Sequence, residues 1–126
     1  MKTSLDVLSG GSDASDVQVP GPSAAGLSGF EHVLVVSATL LGVFNEELVV
    51  RGYLQSRFQL VLGSPSKALM LSSLLFASCH VHLGVSGVLW AFVFGLTLGL
   101  AFLAIGRLWP LVVAHAIQNL VATYAP

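Results

Sequence analysis

Four stretches of this chain stay apolar for close to the ~20 residues that a helix needs to cross about 30 Å of hydrocarbon. They run from about His32 to Tyr53, Ser66 to His82, Gly84 to Gly106 and Leu108 to Tyr124, and the third carries no charge at all. Lipid offers no partner to a backbone N–H or C=O, so segments of this kind fold as helices that satisfy their own hydrogen bonds. The expected fold is therefore all-α, a polytopic transmembrane bundle of about four membrane helices. Gly63-Ser64-Pro65-Ser66 breaks the chain between the first two segments, and Gly106-Arg107 with Pro110 marks the last turn. Pro110 is tolerable in a first helical turn, where the N–H it lacks would be a spare donor.

Composition agrees. Only 9% of the residues are charged, against roughly 25% in a soluble domain, and the mean hydropathy is +0.87. The expectation is a multi-pass integral membrane protein of the plasma membrane. The net charge is −1 and the few Lys and Arg are scattered, so no nucleic-acid groove or polybasic surface patch is foreseen. The partner that composition points to is the lipid bilayer, with no nucleic acid. Cys79 is the only cysteine, which excludes an internal disulfide. Residues 1–29 are rich in Ser, Gly, Asp and Pro and read as a disordered polar tail, leaving 30–126 as the core. The tail is not a signal peptide, because Asp6 interrupts its short apolar run. Arg57, Lys67 and Arg107 fall in connections on one side, and the positive-inside rule places these in the cytoplasm with both termini outside.

Against this background Glu46, Glu47 and Arg51 are expensive residues. Each costs on the order of 2.5–3.5 kcal/mol at the centre of a membrane helix, so such groups face the bundle interior and mark reaction sites or ion paths. Glu47 and Arg51 are four apart, on one helix face, with the acid on the favourable N-terminal side. They are expected to pair, as a structural support. Glu46 points about 100° away, without such a neighbour, and suits a general base.

Two further segments contribute polar groups. Phe76 and His80 share a face of the second, and His115 and Asn119 share a face of the fourth. One histidine inside a membrane is commonly a satisfied core residue and one asparagine commonly interhelical glue. Two histidines, an amide and two carboxylates on three of four helices point instead to one common site. His32 and His82 lie at helix ends and read as solvated. Gly87, Ala91, Gly95 and Gly99 recur every four residues and read as a packing stripe. Trp90 and Phe94 could line a groove but read rather as lipid or core contacts.

These residues resemble a known family. Glu46-Glu47-Leu-Val-Val-Arg51 is similar to the EExxxR motif of the CPBP intramembrane proteases, which include type II CAAX prenyl endopeptidases, lysostaphin-resistance-type proteins and abortive infection proteins. Phe76-Ala-Ser-Cys-His80 resembles the family's FxxxH motif, and His115-Ala-Ile-Gln-Asn119 its HxxxN motif. The resemblance covers about Phe30 to Tyr124. It implies an endopeptidase that cuts a membrane-associated or C-terminally processed peptide or protein substrate. Glu46 would activate water, His80 would help to position it, and His115 and Asn119 would stabilise the oxyanion. Glu47, Arg51 and Phe76 would be supporting residues. Family members carry further membrane helices ahead of the first motif, so self-association or upstream helices are expected partners of this core. No cofactor is favoured. His80, His115 and Glu46 would also make a His2Glu set acceptable to zinc, although Asn119 is a weak zinc ligand and no HExxH is present.

Two other classes compete. A bis-histidine haem bundle could use His80 and His115 but leaves Glu46, Glu47 and Arg51 without a purpose. A non-proteolytic scaffold, immunity or ion-conducting protein would keep the same buried charges without hydrolysis.

Overall fold

The computed structural model describes Ala24 and residues 26–125, all of them helix or short connection and none of them strand. The polar tail expected over 1–29 lies almost wholly outside the described residues. The first helix, α1, starts at Gly29 because Ser28 and Glu31 form a capping box. The Ser28 hydroxyl accepts from the Glu31 N–H, and the Glu31 carboxylate accepts from the Ser28 N–H at 2.7 Å.

Helix α1 then runs unbroken over Gly29–Leu62, longer than the expected segment ending near Tyr53. It is α-helical over Gly29–Glu47 and Ser56–Leu62, with a π-helical insert over Leu48–Gln55. Arg57 thus belongs to a helix rather than to a connection, and its guanidinium lies 5.6 Å above the Tyr53 ring. The stop comes at Gly63, whose left-handed φ of 60° would strain any other residue and whose N–H bonds back to the Gln59 carbonyl.

Helix α2 spans Pro65–Ser78, opened by Ser64 as N-cap and by Pro65 in its first turn. It ends four residues short of the expected His82. His80 sits in the turn that follows, and a single 3-10 turn over Val81–Leu83 leads into α3. Helix α3 covers Gly84–Ile105 and stops at Gly106, again left-handed. Helix α4 covers Trp109–Tyr124, with Pro110 in its first turn as the sequence predicts.

Two of these helical runs, Gly29–Leu62 and Val81–Ile105, are long and apolar enough to span a bilayer on their own. Helices α2 and α4, of 14 and 16 residues, are shorter than the ~20 that a span needs. The expectation of four full membrane helices is met only by these two.

Helices α2 and α3 form the closest pair; the π insert and last turns of α1 pack on α2, and its first half pairs with α4. Val50, Phe76, Ala77 and Ala91 form one core cluster, and Val43, Val112 and Ala116 another between α1 and α4. Phe30, Leu41, Val61, Val85 and Trp109 are each more than two-thirds exposed. An apolar exterior of this extent suits hydrocarbon rather than water.

Candidate active site

The π insert shapes the buried face of α1. An α turn closes in 3.6 residues, whereas a π turn, with its i→i+5 bonds, takes more than four. A helix that passes from one to the other keeps residues spaced by four nearly in line. Glu47, Arg51 and Gln55 consequently form one ridge, and all three are completely enclosed by protein.

That ridge meets the glycine stripe of α3. The Arg51 guanidinium donates to the Gly95 carbonyl at 3.2 Å, and the Gln55 amide donates to the Gly99 carbonyl at 3.1 Å. Both donors take carbonyls one helical turn apart, using the second lone pair that a helical C=O keeps free. A side chain on either glycine would crowd this approach. A Cβ at residue 95 would stand 3.2 Å from the Phe76 ring, and one at residue 99 would stand 3.0 Å from the Gln55 side-chain oxygen. The stripe read as simple packing is thus also a pair of acceptors.

The charges are arranged in series. Arg51 donates to Glu47 Oε1 at 3.0 Å, the pairing expected from their spacing. The same oxygen lies 2.7 Å from His115 Nδ1. A carboxylate can only accept, so Nδ1 carries the proton and Nε2 is left to face the other way. On that side stands Glu46, with its Oε2 3.7 Å from Nε2. This exceeds a direct hydrogen bond and is an ion-pair distance. The order is Arg51, Glu47, His115, Glu46. Glu47 Oε2 is buried with no partner among the described residues.

Aromatic rings close the cluster. Phe94 stands edge-on to His115 with ring centres 5.0 Å apart, and Phe76 does so at 6.0 Å. Phe76 also lies 4.7 Å beneath the Arg51 guanidinium, a cation–π contact that adds to the pair on Glu47. Phe94 therefore lines the site, whereas Trp90, stacked on it at 6.4 Å, remains exposed.

Only Glu46 leads outward. Its side chain is 43% exposed, and it lines an open hollow of about 380 Å³ between α1 and α4 together with Asn119, Thr39, Gly42 and Thr123. Glu46, His115 and Asn119 are thus brought together. His80 stands at the edge, where its Nδ1 donates to the Phe76 carbonyl at 2.8 Å and its ring lies 4.7 Å from the Phe76 ring. It meets the cluster through Phe76 and stacks on His82 on its other side. His32 is half-buried against Tyr124 rather than freely solvated. Among the described residues no three His, Cys, Asp or Glu side chains gather as a metal-binding group.

Gln55 and Ser72 were not singled out in the sequence, and Phe94, read there as a lipid or core contact, turns out to face His115. Ser72 reaches the Gln55 side-chain oxygen at 3.5 Å. The signal for Gln55 was present: positions 47, 51 and 55 repeat every four residues, as do 91, 95 and 99 opposite them.

An enclosed Arg–Glu–His–Glu series opening through one carboxylate into a polar hollow, inside an apolar helix bundle, has the groups that acid–base chemistry requires. A family model described as type II CAAX prenyl endopeptidase Rce1-like matches residues 28–121. The chain belongs to this family of CAAX-type membrane proteases. The matched region starts at the Ser28 cap and takes in Glu46, His80, His115 and Asn119. No curated protein and no solved structure matches the chain.

Proposed function

We propose that the chain is a glutamate-dependent intramembrane endopeptidase of the plasma membrane, hydrolysing a peptide bond of a membrane-associated or C-terminally processed protein. The observation that carries this is the charge series Arg51, Glu47, His115, Glu46, which ends at the one member open to the hollow. Glu46 takes a proton from water, and the water oxygen adds to the substrate carbonyl carbon. The proton then passes from Glu46 to the departing amine as the C–N bond breaks. His80, expected to position that water, lines neither hollow and acts on the site only through Phe76, against whose ring it packs.

His115 acts from behind. Its Nδ1–H is held by Glu47, so Nε2, turned toward Glu46, becomes a donor when it takes up a proton in the reaction. That group and the Asn119 amide donate to the oxyanion, a role worth about 2.7–4 kcal/mol per donor in comparable acyl-transfer sites. Arg51 offsets the charge of Glu47 and keeps it an acceptor. The reading is metal-free: each group has a proton-transfer or donor role, and an amide such as Asn119 is a poor zinc ligand.

The experiment is a peptidase assay on the purified chain in detergent, with and without exhaustive chelation and with Glu46→Gln as control. Activity that survives chelation and disappears in Glu46→Gln, with the folded yield unchanged, is the expected result. Silencing by chelation and recovery on adding zinc would replace the mechanism with a metal-dependent one.

A further inference from the structure

The seam between α1 and α4 holds a second hollow beside the first. It measures about 370 Å³ and is lined by His32, Val33, Val36, Ser37 and Tyr124. On α1 the two separate hollows span residues 32–37 and 39–46, so they follow one another along the seam and are taken together as a track. The fourteen helical steps from residue 32 to residue 46 rise about 21 Å, the length of roughly six residues of extended chain. The track is polar beside Glu46 and mostly apolar at its far end.

Gly42 lies in this track, one turn before Glu46. It is exposed in the middle of a helix, and a Cβ built on it would meet nothing within 4 Å. A glycine inside a helix destabilises it relative to alanine. Here neither a turn nor a close helix contact requires one, in contrast to Gly63, Gly95 and Gly99. What the missing side chain does provide is space in the hollow next to the base. Opposite it, the Asn119 side-chain amide makes no hydrogen bond among the described residues, although its backbone carbonyl accepts from Thr123. An amide with donor and acceptor both free matches the alternating N–H and C=O of an extended peptide. Glu46 is the only charged residue lining either hollow apart from the titratable His32.

We propose that the α1–α4 seam is the substrate groove, that it takes an extended segment of polypeptide without acidic residues, and that Gly42 sets the size of the residue admitted beside the scissile bond. This rests on Glu46 being the base. The test uses the full chain in detergent with quenched-fluorescent peptides of about ten residues, identical except for Gly, Ala, Leu or Phe on either side of the central bond. Gly42→Leu is expected to lower kcat/KM about tenfold or more for the Leu and Phe peptides and far less for the Gly peptide, the scale on which pockets discriminate by size. Its melting midpoint should equal or exceed that of the parent, because the position packs against nothing. An unchanged ranking of peptides overturns the groove.

If the parent cleaves none of these peptides faster than Glu46→Gln, the hydrolytic reading fails, and binding decides the groove. A single-thiol variant, Gly42→Cys with Cys79→Ser, is then labelled with a polar maleimide. Peptides with a reduced central amide, at about ten times their Kd, should slow labelling about tenfold; no slowing by any of them overturns the groove.

Discussion

Arg51→Met is the sharpest test of the charge series. The substitution keeps length and apolar volume, removes the donor to Glu47 at 3.0 Å and the donor to Gly95 at 3.2 Å, and ends the contact over Phe76 at 4.7 Å. Removing one partner of a buried ion pair costs about 3–5 kcal/mol, because the other charge is left uncompensated. The lost bond to the Gly95 carbonyl adds about 1 kcal/mol. Against this, His115 Nδ1 already bonds the same Glu47 oxygen at 2.7 Å, so the stranded carboxylate keeps one strong donor. The lower end, about 3 kcal/mol, is therefore expected, a large share of the ~5–15 kcal/mol that holds a domain folded. Glu47→Gln in the same background removes the stranded charge. The double variant should thus be more stable than the sum of the single losses implies, by about 2 kcal/mol or more. Thermal loss of monodisperse protein in one detergent, followed by size exclusion, measures all four corners of the cycle. Single losses that add within about 0.5 kcal/mol would refute a direct Arg51–Glu47 interaction.

Asn119→Ala should retain the folded yield and lower kcat by about a hundredfold or more, the cost of deleting one oxyanion donor; a change confined to KM would assign Asn119 to ground-state binding instead. Gln55→Met removes the bond to the Gly99 carbonyl and leaves that of Arg51 to Gly95. A loss of about 1–3 kcal/mol in thermal stability is expected from the freed polar partners, and a melting curve unchanged from the parent would show that the Gln55 contact contributes nothing.

The site was more legible in the sequence than the helices that carry it. Charged residues in a run of Leu and Val are conspicuous, and spacing by four already pairs Glu47 with Arg51. Gln55 carries no charge and stands just past the point where the first apolar segment was expected to end, so its four-residue spacing from Glu47 and Arg51 was the one mark that set it apart from a loop residue. The π insert has no compositional mark: Leu48–Gln55 contains no proline and a single glycine, and only its packing reveals it. The continuation of α1 to Leu62 was hidden by Arg57, which is charged enough to suggest a connection yet is carried on a helical turn. Phe94 was unreadable for a different reason. An aromatic on an apolar helix faces lipid or core with equal ease, and only the opposite helix, with His115, decides between them.

The length of α1 has a consequence for depth. Thirty-four residues, Gly29–Leu62, extend about 51 Å, well beyond about 30 Å of hydrocarbon, and tilts within the usual range of 0–40° cannot absorb the difference. Both ends of the helix must stand out of the apolar layer. Glu31 in the first turn and Arg57 near the last are about 39 Å apart along the axis, close to the ~40–45 Å that separates the two headgroup regions. Glu46 falls at the midpoint of the helix, and its carboxylate is thereby held about halfway through the membrane. On the proposed reading, with Glu46 as the base, water and the bond to be cut would meet at mid-depth, which favours a substrate segment able to unwind and descend along the helix over a protein lying only on the membrane surface.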